Sequence, residues 1–193
     1  MSAVREAAAE AALNSLGLTV TAARLDTIAQ VAAAGNWSYS HFAGVLLETE
    51  LAERKRKRVA LNLQFANFPA IKRLEDFDYT AQPSLDRRLV EELATGRYLA
   101  EGRNVMFLGP PGVGKTHIAI ALGVAVAEAG NRVYFTTAMD LARKLTRAVD
   151  ANRLHRELNA LQQPKLLIID EVGYLPFDAV QASLFFQVIC RRY

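Results

Sequence analysis

Residues 109–116 read Gly-Pro-Pro-Gly-Val-Gly-Lys-Thr. Glycine gives up backbone entropy and side-chain packing together, so main-chain shape decides this stretch. The spacing fits G-x-x-x-x-G-K-[ST], in which successive N–H groups curl round a phosphate at the positive end of a helix. The expected cradle is Gly109, Pro110, Pro111, Gly112, Val113, Gly114, Lys115 and Thr116, with the amides from Gly112 onward closest to the anion. A side chain at Gly112 or Gly114 would obstruct that approach. Lys115 supplies a point charge for β- and γ-phosphates, and the Thr116 hydroxyl suits one place on Mg²⁺.

Roughly 55 residues downstream, "KLLIIDE" (165–171) ends an apolar run in two carboxylates. Asp170 suits the Mg²⁺ shell, typically through water, and Glu171 suits orienting and polarising an attacking water. Apolar strands often end in solvated acids; the complete phosphate loop upstream is what singles out this pair. The expected chemistry is ATP hydrolysis with Mg²⁺. Lys115, Asp170 and Glu171 are its catalytic candidates, and Thr116 and Asp170 its metal candidates.

A third cluster, Arg54-Lys55-Arg56-Lys57-Arg58, is the strongest charge block in the chain. On a helix, five consecutive cations wrap more than a full turn, and Glu53 is the only immediate acid. Two readings stay open: a solvated, self-repelling face, or contact with nucleic-acid phosphates. The absence of a base-reading motif gives the second reading a sequence-tolerant form. Lys72 and Arg73 extend the basic character further on. His41 and His155 lack ligand spacing, and His117, beside Thr116, reads as a packing or hydrogen-bonding histidine. The single cysteine, Cys190, makes neither a disulfide nor a cysteine metal cluster and is expected in the core.

The elements that must position these groups follow from periodicity and caps. Residues 1–66 read as helical, with Thr21 capping a helix that ends at Gly35, and a second helix starting near Ser40 with Phe42, Val45, Leu46 and Thr49 on one face. "FPAIKRLEDFDYTAQP" reads as an extended connector, with Pro69 as a break. Ser84 is the expected cap of a helix carrying Leu85, Leu89 and Leu93. Strands "NVMFLG", "RVYFTT" and "KLLIID" then alternate with helices, and the last is too apolar to have a solvent face. Lys115 to Ala129 is a helix, Thr137 and Asp140 form a capping box, and Asp178 with Gln181 caps the last helix. Apolar strands separated by helices argue for a parallel sheet in an α/β domain.

With 193 residues, 51% hydrophobic and 22% charged, the chain suits one sizeable domain or a domain plus a small helical module. Its net charge of +3 says little about partners. Glu6 and Glu10 interrupt the alanine-rich start, so a secretory leader is not expected. The longest apolar run, Ile118 to Ala127, is far shorter than the ~20 residues of a membrane span. The expected location is cytoplasmic.

The combination of "LEDFD…QPSLDR", "GPPGVGKTH" and "IDEVGYLP" is more specific than the phosphate loop alone. On these residues the chain resembles the IstB-like helper ATPases of insertion-sequence transposition, AAA+ proteins related to the bacterial replication initiator and helicase loader. The resemblance implies a three-layer αβα parallel sheet of the P-loop NTPase (AAA+) class after a small all-helical module. The expected domains are a DNA-binding module over 1–69 and an ATP-binding domain over 70–193, incomplete at its C-terminus. Implied partners are duplex DNA, the transposase of the same insertion element, and further copies of the chain in an ATP-dependent homo-oligomer. Phe77 and the segment after it match the region lining the adenine pocket in such proteins. Family members continue past the position of Tyr193 through a sensor strand and an arginine that reaches a neighbouring ATP, so weak hydrolysis is expected of this chain. The alternatives are a helicase-loader-type ATPase and a DNA- or partner-binding fragment deficient in hydrolysis.

Overall fold

A computed structural model of the chain describes residues 2–173 and 177–192. They divide into two compact units, Met1–Arg58 and Val59–Tyr193, with the division inside a long helix.

The first unit contains α1 (Ser2–Ser15), α2 (Thr19–Ala34) and the start of α3 (Tyr39–Phe65). The expected cap at Thr21 does not form. Helix α2 begins at Thr19 after Leu18, which offers no capping oxygen. Thr21 is buried inside the helix, and its hydroxyl donates to the Leu46 carbonyl at 3.1 Å. The open N–H groups of Val20 and Thr21 are instead accepted by Glu50 Oε2 from α3, each at 3.1 Å. Glu50 is only 4% exposed. Burial works to raise its carboxyl, but the Thr21 amide, the Arg54 guanidinium and the Val20 amide outweigh that and hold it below its ordinary value. Ser38 starts α3 by accepting the His41 N–H at 3.2 Å.

In the second unit the last turn of α3 continues into the core, where Ala66 is fully buried. Residues 68–83 form the connector, with one 3₁₀ turn at Tyr79–Ala81 capped by Asp78. There follow α4 (Arg87–Ala94), α5 (Arg97–Ala100), α6 (Lys115–Glu128), β1 (Val133–Thr137), α7 (Ala138–Asp150), α8 (Leu154–Gln162), β2 (Leu166–Asp170) and α9 (Ala179–Arg192). Asp86, not Ser84, caps α4, and its carboxylate accepts from the Arg88 and Leu89 amides. Val90 is the buried residue of that helix, while Leu89 turns to solvent. Thr137 caps α7 as expected, accepting the Asp140 N–H at 3.1 Å. Asp178 and Gln181 exchange bonds at the start of α9.

β1 and β2 pair in parallel, Val133 opposite Leu166 through Thr137 opposite Asp170. The two-residue period of a strand sorts their side chains into two cores. Val133, Phe135 and Ile168 pack with Ile120, Val124, Val126 and Ala127 of α6. Tyr134, Leu167 and Ile169 face Leu141, Leu145, Leu158, Leu161, Leu184 and Val188 of α7, α8 and α9. Helices thus cover both faces of a small parallel sheet, the layering of a P-loop-type unit. Burying each large aliphatic side chain contributes about 1.5–3 kcal/mol. Helix α6 approaches closely because Gly123 has no side chain: a Cβ there would lie 2.7 Å from Ile168 Cδ1.

Three sequence expectations fail for one reason, the dependence of a strand or face on its neighbour. Residues 104–108 form no strand, because no strand lies beside them among the described residues. Only Phe107 there packs inward, while Met106 and Leu108 are 80% and 84% exposed. β2 is half-buried, with Ile168 alone fully enclosed, because β1 is its only partner among the described residues. The outer edge of β1, by contrast, is covered: Phe135 N–H donates to the Ala66 carbonyl at 2.7 Å, and Asn67 Nδ2 donates to the Phe135 carbonyl at 3.1 Å. Cys190 is exposed rather than core, since α9 turns Leu184 and Val188 inward and leaves Val180, Phe186, Ile189 and Cys190 outside. No helix among the described residues is long and apolar enough to cross a membrane.

Candidate nucleotide site

The loop over 109–114 enters α6 through Gly114, whose φ of +86° lies in the left-handed region. That conformation turns the chain so that the first amides of α6 stand open, with no side-chain cap on them. Gly112 also has a positive φ, +83°. At Gly114 space is as decisive as φ, because a Cβ would lie 2.5 Å from Phe77 Cε2. Phe77 cannot swing away freely. It packs with Leu74, Leu85 and Phe107 around Val90, Ile118 and Leu122, and sits edge-on to both Tyr79 and His117. Gly114→Ala is therefore expected to cost about 1–3 kcal/mol through φ and crowding together. Chemical denaturation would measure it, and in a Phe77→Ala background, itself less stable, Gly114→Ala should cost only the φ part. A fully stable Gly114→Ala chain would contradict this account of the loop.

Lys115 Nζ donates to the Gly109 and Pro110 carbonyls at 2.8 and 2.7 Å, so its ammonium lies over the mouth of the loop. The Thr116 hydroxyl donates to Asp170 Oδ2 at 2.8 Å, a contact between residues 54 apart in the chain. Parallel pairing explains this contact: β2 ends at Asp170 on the same side of the sheet as the start of α6. Glu171 follows with φ +59°, a left-handed backbone that costs a non-glycine residue on the order of 1–3 kcal/mol. Its carboxylate is exposed. Thr116 and Asp170 are thus brought together, with Lys115 and Glu171 their respective neighbours in the chain.

His117 Nε2 lies 2.9 Å from the Arg73 carbonyl. A carbonyl only accepts, so Nε2 carries the proton. The Arg73 side chain pairs with Glu128 at 2.8 Å, which fastens the connector to both ends of α6. No sequence signal pointed to this clasp, because its acceptor is a backbone oxygen. Tyr79 lies under the Arg87 guanidinium, 5.2 Å from ring centroid to Cζ, and its hydroxyl is buried without a partner among the described residues.

The basic block belongs to the first unit and is not uniform. Arg54 is bound to Glu50 and to the Gly17 carbonyl. Arg56 and Lys57 both reach Glu53, at 2.7 and 3.7 Å. Lys55 and Arg58 are exposed and form no ion pair among the described residues. No cluster of acidic, histidine or cysteine side chains with metal-holding spacing occurs among the described residues.

A family model described as IstB-like ATP binding protein matches residues 11–193. The ATP-binding protein of insertion sequence IS5376 from Geobacillus stearothermophilus is 42% identical over 180 residues, covering 93% of this chain and 72% of that protein. The corresponding protein of IS21 from Pseudomonas aeruginosa is 41% identical over 184 residues, 95% of this chain and 69% of its own length. That of IS232 from Bacillus thuringiensis is 40% identical over 148 residues, 77% of this chain and 59% of its own length. The chain therefore belongs to the IstB-like ATP-binding proteins of insertion sequences.

Proposed function

We propose that the chain is an AAA+ helper ATPase of DNA transposition, binding ATP at residues 109–116 and hydrolysing it there. The observation that carries this reading is the 2.8 Å contact between Thr116 and Asp170 beside an open helix start. A hydroxyl and a carboxylate converging this way are hard oxygen donors, a set that fits Mg²⁺. Thr116 and Asp170 would hold that ion, Asp170 typically through water. Bound there, Mg²⁺ would supply positive charge that offsets the charge of the phosphate tail.

The rest of the mechanism belongs to the chain. The amides of Gly112 to Thr116 bind the phosphate tail, and Lys115 exchanges its two loop carbonyls for phosphate oxygens. Glu171 orients a water for in-line attack on the γ-phosphorus and takes up its proton, and ADP with inorganic phosphate leaves. The domains proposed for this division of labour are a DNA-binding module over 1–69 and an ATP-binding domain over 70–193. Duplex DNA, the transposase of the same element and further copies of the chain are the proposed partners, on the strength of the relatives' insertion-sequence names.

The site reading is tested by titrating an ATP analogue with and without Mg²⁺. Thr116→Ala and Asp170→Asn are each expected to abolish most of the Mg²⁺-dependent gain in affinity while leaving Mg²⁺-free binding nearly unchanged. Unaltered Mg²⁺ dependence in both variants would refute the assignment.

A further inference from the structure

The five cations of the basic block divide by geometry into three jobs. Helix α3 advances about 100° per residue, so Glu53 falls between Arg56 and Lys57, and both reach it. Arg54 lies one turn beyond Glu50 on the same face. Its Nε donates to Glu50 Oε1 at 3.1 Å, and its Nη2 donates to the Gly17 carbonyl at 3.0 Å. Glu50 Oε2 meanwhile accepts both open amides at the start of α2. One side chain on α3 therefore holds the turn that joins α1 to α2 and, through Glu50, the beginning of α2. Lys55 and Arg58, three residues apart and only about 60° apart round the helix, stand together on the solvent side.

We infer that Arg54 is a positioning residue that pins the three helices of the first unit through Glu50 and Gly17, and that Lys55 and Arg58 are the residues that meet nucleic-acid phosphates. The second half rests on the DNA-binding part of the proposed function. The chemistry that would recognise this face is the phosphate backbone of a duplex, since two cations without a neighbouring acid neutralise phosphates and release their counterions. An arginine whose Nε and Nη2 are already engaged adds little to that release. Its effect on binding comes through the orientation of the helix that carries Lys55 and Arg58.

The experiment is a salt titration of full-chain binding to a mixed-sequence duplex, alongside thermal melting of each variant by circular dichroism. Lys55→Ala and Arg58→Ala are each expected to make the slope of log K against log salt shallower by about 0.9, with melting unchanged. Arg54→Ala should leave the slope unchanged, lower affinity by about two- to thirtyfold at every salt concentration, and lower the melting temperature. Glu50→Gln should reproduce all three of those effects. The double variant should lose less melting temperature than the two single losses added together, because both singles remove the shared Arg54–Glu50 bond. Arg54→Lys, which keeps a donor for Glu50, should recover part of the affinity.

A slope shallower by about 0.9 in Arg54→Ala, with Glu50→Gln silent, would make Arg54 a phosphate contact and overturn the inference. Additive melting effects in the double variant would overturn the pin. A flat salt dependence of the unsubstituted chain would overturn the DNA reading, and Lys55 and Arg58 with it. The melting cycle would still report separately on Arg54.

Discussion

Glu171→Gln is expected to slow ATP hydrolysis about a hundred- to ten-thousand-fold while the nucleotide still binds, the usual range for loss of a positioned general base. Glutamine keeps the volume of glutamate and can still hydrogen-bond a water, but it cannot take its proton. Binding is expected to be spared because the proposed phosphate contacts belong to other residues. The loop amides and Lys115 lie at the start of α6, and the Thr116–Asp170 pair forms its own contact at 2.8 Å. Glu171 also stands in a left-handed backbone with φ +59°, which turns its side chain out of the alternation of β2. That conformation separates two mutational effects. Glu171→Gly relieves the backbone and removes the carboxylate, so it should be at least as stable as the parent and as inactive as Glu171→Gln. Single-turnover hydrolysis with protein in excess reads the chemical step, and a binding titration reads the rest. Turnover of Glu171→Gln within about threefold of the parent would remove Glu171 from the mechanism.

What was legible in the sequence was local. The glycine pattern at 109–114 and the lysine after it specify a turn, an open helix start and a charge within eight residues. Thr137 with Asp140, and Asp178 with Gln181, announce their helices because a cap and its donor lie three residues apart. The failures involve partners far away in the chain. α2 is capped by Glu50, 29 residues beyond Thr21, and nothing near Thr21 signals it. The apolar run at 104–108 has the composition of a strand, but pairing needs a neighbour, and composition carries no information on whether one is alongside. Cys190 follows the apolar Val188 and Ile189, yet a helix turns by about 100° per residue, and the inward stripe had already been taken by Leu184 and Val188. In the basic block, five like charges read as one feature, whereas the fold assigns each by its angle round α3. The loop and helix start over 109–116 were therefore more legible than the frame that holds them.

Lys115→Ala is expected to weaken ATP binding about 10- to 150-fold, the equivalent of about 1.5–3 kcal/mol for losing charge-assisted hydrogen bonds. Two of the three ammonium donors are already aimed across the loop mouth, at the Gly109 and Pro110 carbonyls, 2.8 and 2.7 Å away. Those carbonyls hold the ammonium where a phosphate tail would enter. The bonds they make are exchangeable, because both acceptors are solvent-accessible and regain water when the lysine turns to a phosphate. Truncation should consequently leave the stability of the nucleotide-free chain within about 0.5 kcal/mol of the parent. Its effect should appear only when nucleotide is present. Ligand binding raises apparent stability by RT ln(1 + [L]/Kd), so a hundredfold weaker site loses about 2.7 kcal/mol of stabilisation once ATP is well above the weakened Kd as well as the parent's. The measurement is a pair of melting curves for each protein, with and without Mg²⁺-ATP. Equal nucleotide-induced shifts in the parent and in Lys115→Ala would mean that ATP binds elsewhere on the chain, and the assignment of residues 109–116 would fall with them.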